Sequence, residues 1–203
     1  MSEGGLPGRF YPVVESAAWV ERMASVGARL IQLRSKGLDP NQLRQEAEAA
    51  RDSCRRHGAT LVLNDHWGLA IALGIDFIHL GQEDLDDADL TAIRAAGLRL
   101  GVSTHSDAEL DRALSVRPDY VALGPVWPTT LKKMPWAPQG VERLHAWKTR
   151  LGHVPLVAIG GVTLERVPSC LEAGADAVAV VSDVVANADP EGRARAWLAA
   201  TGG

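Results

Sequence analysis

The chain has 203 residues, of which 46% are hydrophobic and 23% charged, a size and composition that fit one globular domain and argue against wholesale disorder. Its formal net charge of -4 gives no overall attraction to nucleic acid or to an anionic membrane, so neither is expected as a partner. No apolar run reaches the ~18 residues that span a bilayer, and the amino-terminal residues lack a secretory signal pattern, so a cytoplasmic protein is expected.

Short apolar runs alternate with amphipathic stretches along the whole chain. The short runs are rich in Val, Ile, Leu and Ala without strict alternation, which predicts strands buried on both faces of a parallel sheet. The predicted strands cover residues 10–14, 30–33, 60–63, 77–80, 98–102, 120–123, 156–159 and 177–181. The predicted helices cover residues 17–25, 40–57, 66–73, 89–96, 108–116, 141–151, 164–173 and 190–200.

This alternation predicts a single domain, residues 1–203, folded as an α/β (β/α)8 TIM barrel with a parallel eight-stranded sheet. An open doubly wound sheet is the alternative, but the chain lacks a Gly-x-Gly-x-x-Gly pattern after its first strand. The one long break, residues 124–140, is rich in Pro and Thr. Because loops of that length in compact domains are usually functional, we expect this segment to close over the site as a lid.

Active sites of such barrels lie at the carboxyl ends of the strands, and two kinds of polar side chain occur there. Arg34, Lys36 and Lys132 offer a basic cluster for a highly charged anion such as a diphosphate. Asp65 and Asp84 are hard oxygen ligands with no Cys or His cluster beside them, which favours Mg²⁺ over zinc. The alternative interpretations are that Asp65 caps the following helix and that Asp84 is an ordinary loop carboxylate.

A second region follows the last two strands. Gly160 and Gly161 come after strand 7, and the Val181-Ser182 turn comes after strand 8. Exposed backbone N–H groups there would match the phosphate site that barrels often form after these strands, although the two glycines alone could form only a turn. His79 is interpreted as a structural, hydrogen-bonding histidine.

The motifs at the strand ends occur in one order along nearly the whole chain, and together they resemble thiamine-phosphate synthases. They are Gln32-Leu33-Arg34-Ser35-Lys36, Asn64-Asp65, His79-Leu80-Gly81-Gln82-Glu83-Asp84, Gly101-Val102-Ser103-Thr104-His105, Gly124-Pro125-Val126-Trp127-Pro128-Thr129, Ile159-Gly160-Gly161 and Val180-Val181-Ser182. The resemblance implies a transferase that joins 4-amino-2-methyl-5-hydroxymethylpyrimidine diphosphate to a thiazole phosphate, giving thiamine phosphate and diphosphate.

The resemblance also implies a role for individual residues. Mg²⁺ would be held by Asp65 and Asp84. Catalysis would involve Arg34, Lys36, Ser103 and Lys132. The pyrimidine diphosphate would be bound by Gln32, Leu33, Arg34, Ser35, Lys36, Asn64, Ser103 and Lys132. The thiazole phosphate would be bound by Thr129, Thr130, Leu131, Gly161, Val181 and Ser182.

One position departs from the family pattern, because Leu131 stands where the family usually has threonine. Two alternative functions are compatible with the same fold. A thiazole tautomerase would use a histidine after strand 6, where this chain has Pro125. A catalytically silent ligand-binding barrel has only Leu131 in its favour.

The partners expected are small-molecule substrates and a possible second copy of the chain in a homo-oligomer.

Overall fold

A computed structural model describes residues 5–129 and 137–202. Its strands are parallel and close into a barrel in the order β1 to β8. The strands are β1 Phe10–Val14, β2 Leu30–Leu33, β3 Thr60–Asn64, β4 Phe77–Leu80, β5 Arg99–Thr104, β6 Tyr120–Leu123, β7 Leu156–Ala158 and β8 Ala177–Val180. The predicted TIM barrel is therefore confirmed, and an open sheet is excluded.

Helices lie between successive strands and cover the outside of the barrel. They are α1 Ala17–Ser25, α2 Pro40–His57, α3 Trp67–Leu73, α4 Asp84–Asp87, α5 Leu90–Ala95, α6 Asp107–Ser115, α7 Gly140–Leu151, α8 Val167–Glu172, α9 Ser182–Val185 and α10 Pro190–Thr201, with a 3-10 turn at Leu164–Arg166. The described helices include none that is long and apolar enough to cross a membrane.

The element boundaries differ from the predicted ones where local geometry overrides hydrophobicity. The strand predicted over 177–181 ends at Val180, because Val181 has φ -120° and ψ -84° and turns the chain into α9. The helix predicted over 164–173 is divided into a 3-10 turn and α8, with Pro168 in the first turn of α8. Proline lacks an N–H donor and is accepted at a helix start but not within one. The short helices α4 and α9 were not predicted.

Buried residues form two clusters separated by the sheet. Strand residues that point outward pack against the helices in the larger cluster. Those that point inward fill the lumen of the barrel, and this smaller cluster comprises Tyr11, Val13, Leu30, Val62, Phe77, Tyr120, Ala122, Val157, Ala177 and Ala179. The lumen is thus a packed core that supports the site above it.

Candidate active site

The carboxyl ends of β3 and β4 place two carboxylates beside each other. The side chains of Asp65 and Asp84 lie close enough to hydrogen-bond when one is protonated, and the positive charge of Arg34 acts on Asp65. Burial raises the pKa of Asp65 above its ordinary value, and repulsion from Asp84 raises it further. A divalent cation bound between these two facing carboxylates would offset their mutual repulsion.

The backbone explains how each carboxylate is held. Asp65 has φ 65°, a left-handed conformation that Asp and Asn tolerate better than other non-glycine residues. Its N–H donates to the backbone oxygen of His79 at 2.9 Å. The helix that follows has His66 as its N-cap, so the alternative that Asp65 caps it is wrong. Asp84 begins α4, and its Oδ2 accepts a hydrogen bond from the Gly81 N–H at 3.0 Å.

The residues at the end of β2 and directly after it differ in how far they are accessible to a ligand. Arg34 is half-buried and Lys36 is exposed. The Ser35 hydroxyl donates to the backbone oxygen of Glu15 at 2.6 Å, so it is already engaged within the protein. Leu33 is fully buried in the outer core, which leaves only its backbone available to a ligand. Lys132 lies outside the described residues, as do Thr130 and Leu131.

A chain of hydrogen bonds crosses the lumen beneath the rim of the barrel, which is formed by the carboxyl ends of the strands and the loops that follow them. Gln32 Nε2 donates to the Tyr11 hydroxyl at 2.8 Å, and the hydroxyls of Tyr11 and Tyr120 lie 2.8 Å apart. The Tyr120 hydroxyl lies 2.6 Å from Nδ1 of His79, whose Nε2 lies 2.6 Å from Oγ of Ser103. We refer to these five residues as the lumen chain. It connects Gln32 on β2 with Ser103 on β5.

The lumen chain consists of uncharged groups at neutral pH. Burial lowers the pKa of His79 to about 4, and the nearby charge of Arg34 acts in the same direction. Burial raises the pKa of Tyr11 and of Tyr120 well above the ordinary value for tyrosine. The interpretation of His79 as a hydrogen-bonding residue agrees with these contacts. Tyr11 and Tyr120 were missed, although a tyrosine in a buried aliphatic strand indicates a hydroxyl that needs a partner.

The residues after β7 lie against the loop after β6. Gly160 and Gly161 have φ 92° and 66°, and a Cβ at Gly161 would lie 2.6 Å from the backbone oxygen of Pro128. A side chain at either position is therefore strained and obstructed. The Trp127 N–H donates to the Gly160 oxygen at 3.0 Å, and Arg166 lies over the Trp127 ring. The glycines thus do more than form a turn, because they allow two loops of the rim to touch.

The carboxylate of Asp183 fixes the turn after β8, and the sequence alone did not identify this residue. Asp183 directly follows Ser182 and accepts two hydrogen bonds from Arg193, both at 2.9 Å. It also accepts hydrogen bonds from Trp197 Nε1 at 2.7 Å and from the Leu164 N–H at 3.2 Å. One side chain therefore joins the turn after β8, the segment after β7 and α10.

The barrel places most of the predicted residues where its strands end. Gln32, Asn64, Asp65, Asp84 and Ser103 come from β2, β3, β4 and β5 or from the residues that follow them. Gly161, Val181 and Ser182 follow β7 and β8. The described part of the chain contains no group of three or more His, Cys, Asp or Glu side chains able to hold a metal. A cation at the Asp65–Asp84 pair would need further ligands from substrate or water.

Comparison with known proteins agrees with this geometry. The family model described as thiamine monophosphate synthase matches residues 10–184. The thiamine-phosphate synthase of Rhizobium etli is 59% identical over 192 residues, covering 95% of this chain and 94% of that protein. That of Neisseria meningitidis serogroup A is 49% identical over 193 residues, covering 95% and 94%. The structure of thiamine phosphate pyrophosphorylase from Pyrococcus furiosus superposes with a TM-score of 0.85 at 25% identity, covering 96% of this chain and 95% of that one.

These relatives do not favour the tautomerase or the silent barrel. The family match spans every strand of the barrel, and the relatives align over almost their whole length. The chain belongs to the thiamine-phosphate synthase family and is a transferase of thiamine biosynthesis.

Proposed function

We propose that the rim formed by the carboxyl ends of the strands catalyses the condensation of the pyrimidine diphosphate with the thiazole phosphate. The observation that supports this assignment is the Asp65–Asp84 pair beside the charge of Arg34, in a chain of this family. The bond between the pyrimidine methylene carbon and the diphosphate oxygen breaks, and the thiazole nitrogen forms the new bond to that carbon. The bonding electrons leave with the diphosphate, so the site must stabilise a departing negative charge.

The donor set at Asp65 and Asp84 fits Mg²⁺. Both residues are carboxylates, and burial together with repulsion from Asp84 disfavours ionisation of Asp65 without a cation. Mg²⁺ is commonly bound by one or two carboxylates together with substrate phosphates. When bound there, Mg²⁺ would neutralise part of the charge on the diphosphate.

The protein's own side chains have separate tasks in this proposal. Arg34, Lys36 and Lys132 supply positive charge to the diphosphate, while Gln32, Ser35, Asn64 and Ser103 orient the pyrimidine diphosphate by hydrogen bonds from side chain or backbone. At Leu33 only the backbone contributes, because its side chain is buried in the outer core. The thiazole phosphate binds at the other side of the rim, near Thr129, Thr130, Leu131, Gly161, Val181 and Ser182. Holding both substrates in line supplies much of the catalysis.

Two small phosphorylated substrates are consistent with a cytoplasmic enzyme. Cys54 and Cys170 are both buried free thiols, and burial raises their pKa to about 12. Unreactive free thiols are usual for proteins of a reducing compartment, which supports the cytoplasmic assignment.

The direct test is formation of thiamine phosphate from the two substrates and Mg²⁺, followed by chromatography. We expect product with the natural chain and at least ~10²-fold less with Asp65→Asn, comparable to the loss of one important electrostatic stabiliser. Incubation with a carboxylated thiazole phosphate alone tests the tautomerase. Isomerisation of the thiazole without condensation would contradict the proposal.

A further inference from the structure

We propose that the side-chain amide of Gln32 sets the direction of every hydrogen bond in the lumen chain, so that His79 is fixed as the Nε2–H tautomer and the Ser103 hydroxyl proton is left free to point into the active site. Gln32 and His79 would then act as positioning residues for Ser103. The direction of the hydrogen bonds follows from donor and acceptor chemistry, starting from the contact of Gln32 Nε2 with the Tyr11 hydroxyl. Only the use of the free proton on a substrate rests on the proposed function.

The first two hydrogen bonds follow from the amide. Gln32 contacts the Tyr11 hydroxyl through Nε2 at 2.8 Å, and an amide nitrogen only donates. The Tyr11 oxygen is therefore an acceptor from Gln32, and its single proton is available for the other partner. That partner is the Tyr120 hydroxyl, 2.8 Å away. Tyr11 accordingly donates to Tyr120.

The remaining hydrogen bonds follow in the same way. Tyr120 accepts from Tyr11, so its own proton is directed to Nδ1 of His79 at 2.6 Å. Nδ1 must then be bare, and the ring proton of a neutral imidazole is on Nε2. Nε2 donates to Oγ of Ser103 at 2.6 Å. The Ser103 oxygen is occupied as an acceptor, which frees its proton for a group above the rim.

The surroundings of the lumen chain preserve this direction of its hydrogen bonds. Gln32, Tyr11, Tyr120 and His79 are 4%, 1%, 0% and 8% exposed, so bulk water does not compete for their hydrogen bonds. An imidazolium at His79 would present a proton to Tyr120 and leave the Tyr120 proton without an acceptor. The hydroxyls of Tyr11 and Tyr120 and the ring of His79 can each donate or accept a hydrogen bond. The amide of Gln32 differs, because its nitrogen only donates and its oxygen only accepts.

The alternative arrangement has the opposite chemical consequence. If the amide oxygen of Gln32 faced Tyr11, each hydrogen bond would reverse, His79 would carry its proton on Nδ1, and Ser103 would donate to Nε2. Ser103 would then be an alcohol with a basic partner, as in enzymes with a serine nucleophile. A free donor instead suits a reaction in which negative charge leaves with diphosphate, because a hydrogen bond to that charge stabilises its departure.

The experiment is a measurement of the His79 tautomer in the full-length, ligand-free protein by two-bond ¹H–¹⁵N NMR of the imidazole nitrogens. His79→Gln identifies the signal by its disappearance. We expect a neutral ring protonated at Nε2 in the natural protein. Observation of the Nδ1–H tautomer, or of a charged ring at pH 7.5, would overturn the proposal. Because no substrate is present, failure of this test is distinct from failure of the proposed function.

Two substitutions at Gln32 test whether the amide sets the direction. Gln32→Glu supplies an acceptor when ionised, and the ¹³C shift of the new carboxyl reports its charge. We expect the ionised form to convert His79 to the Nδ1–H tautomer. Gln32→Met removes the donor without adding an acceptor, and we expect both tautomers to be populated. A ring that remains wholly Nε2–H in both variants would contradict the proposal.

Tyr11→Phe is the matched control, because it interrupts the lumen chain and keeps the aromatic ring. In that background, Gln32→Glu should no longer alter the ring of His79. We also expect Tyr11→Phe to lower kcat roughly 2- to 10-fold, as for one weakened hydrogen bond, with the KM for thiazole phosphate unchanged. An effect of Gln32→Glu on the tautomer that persists without the Tyr11 hydroxyl would show that the influence is not transmitted through the lumen chain.

Discussion

Gly101 lies opposite Tyr120 on the neighbouring strand, and the ring of Tyr120 occupies the space that any side chain at position 101 would fill. Where β5 pairs with β6, a glycine without a side chain thus faces the large ring of a tyrosine. It allows the Tyr120 hydroxyl to reach both Tyr11 and His79.

Gly101→Ala should therefore be strongly destabilising. A new Cβ would overlap the Tyr120 ring, and overpacking of a buried core typically costs about 1–3 kcal/mol. We expect the Tm to fall by roughly 2–12 °C, since about 1 kcal/mol shifts the Tm of a domain of this size by about 2–4 °C. Gly68→Ala in α3 is the matched control, because a Cβ there meets no atom within 4 Å. Equal melting temperatures of the two variants would contradict this explanation.

Asp65→Asn should make the metal-free protein more stable at neutral pH. Because the pKa of Asp65 is raised in the folded state, the folded protein binds that proton more tightly than the unfolded chain does. Stability is consequently lost as the pH rises from the unfolded pKa through the folded one. We expect a Tm gain at pH 7.5, measured in EDTA, that shrinks as the pH approaches 3.8, the ordinary value for Asp.

The same variant should lose its response to Mg²⁺. Asparagine accepts the left-handed backbone of position 65, so the loss would reflect the missing charge and not misfolding. We expect Mg²⁺ to raise the Tm of the natural protein but not that of Asp65→Asn. Asp87→Asn, an exposed aspartate of α4, should respond as the natural protein does. An unchanged response in Asp65→Asn would exclude Asp65 as a ligand.

Asp183→Asn should weaken binding of the thiazole phosphate. The amide group cannot accept all four hydrogen bonds of the carboxylate, so the turn at Ser182 and the segment at Leu164 lose a common anchor. We expect a Tm loss of roughly 6–20 °C, since breaking a buried ion pair costs about 3–5 kcal/mol and about 1 kcal/mol shifts the Tm by about 2–4 °C. We also expect a rise of roughly tenfold in the KM for thiazole phosphate. The KM for the pyrimidine diphosphate should change much less.

Glu165→Gln is the control for that variant. It removes the exposed partner of Arg193, at 3.1 Å, and leaves Asp183 in place. Exposed ion pairs contribute about 0–1 kcal/mol, so we expect little change in either quantity. Equal effects of the two substitutions on the KM would mean that loss of an Arg193 contact, and not the Asp183 anchor, is responsible.

Arg34→Ala should reduce turnover more than it affects the thiazole phosphate. Its charge acts on Asp65 and His79, which places it on the side of the rim assigned to the diphosphate. We expect kcat to fall at least ~10²-fold in steady-state assays, with the KM for thiazole phosphate within about threefold of the natural value. Weaker thiazole phosphate binding with intact turnover would reverse the assignment of the two anion sites.

Much of the fold could be predicted because it depends on local patterns. Strands such as β1 and β2 are buried on both faces, so a short apolar run marks their bounds directly. The positions of Asp65 and Asp84 at the rim could be predicted as well, since a barrel brings the carboxyl ends of all its strands to one face. The sequence predicts Val181 as part of β8, because hydrophobicity alone does not report a change of backbone direction.

The contacts that could not be predicted join residues that are distant in sequence. Tyr11 and Tyr120 meet only because their strands face each other across the lumen, and their sequence separation of 109 gives no local signal. Asp183 is similar, because its partners come from α10 and from the segment after β7. Sequence patterns indicate which side chains are buried, but the pairing of polar groups depends on the packing of the finished barrel.

The lumen chain also bears on how the barrel can assemble. Its members belong to β1, β2, β4, β5 and β6, so no contiguous half of the molecule contains them all. A fragment ending after β4 would contain Gln32, Tyr11 and His79 but neither Tyr120 nor Ser103, so only the hydrogen bond between Gln32 and Tyr11 could form in it. The other three hydrogen bonds of the lumen chain become available only when β5 and β6 are in place. They stabilise the nearly complete barrel and not its first half, which favours ring closure as a cooperative event. The polar groups that orient Ser103 thereby also select against half-formed versions of the fold.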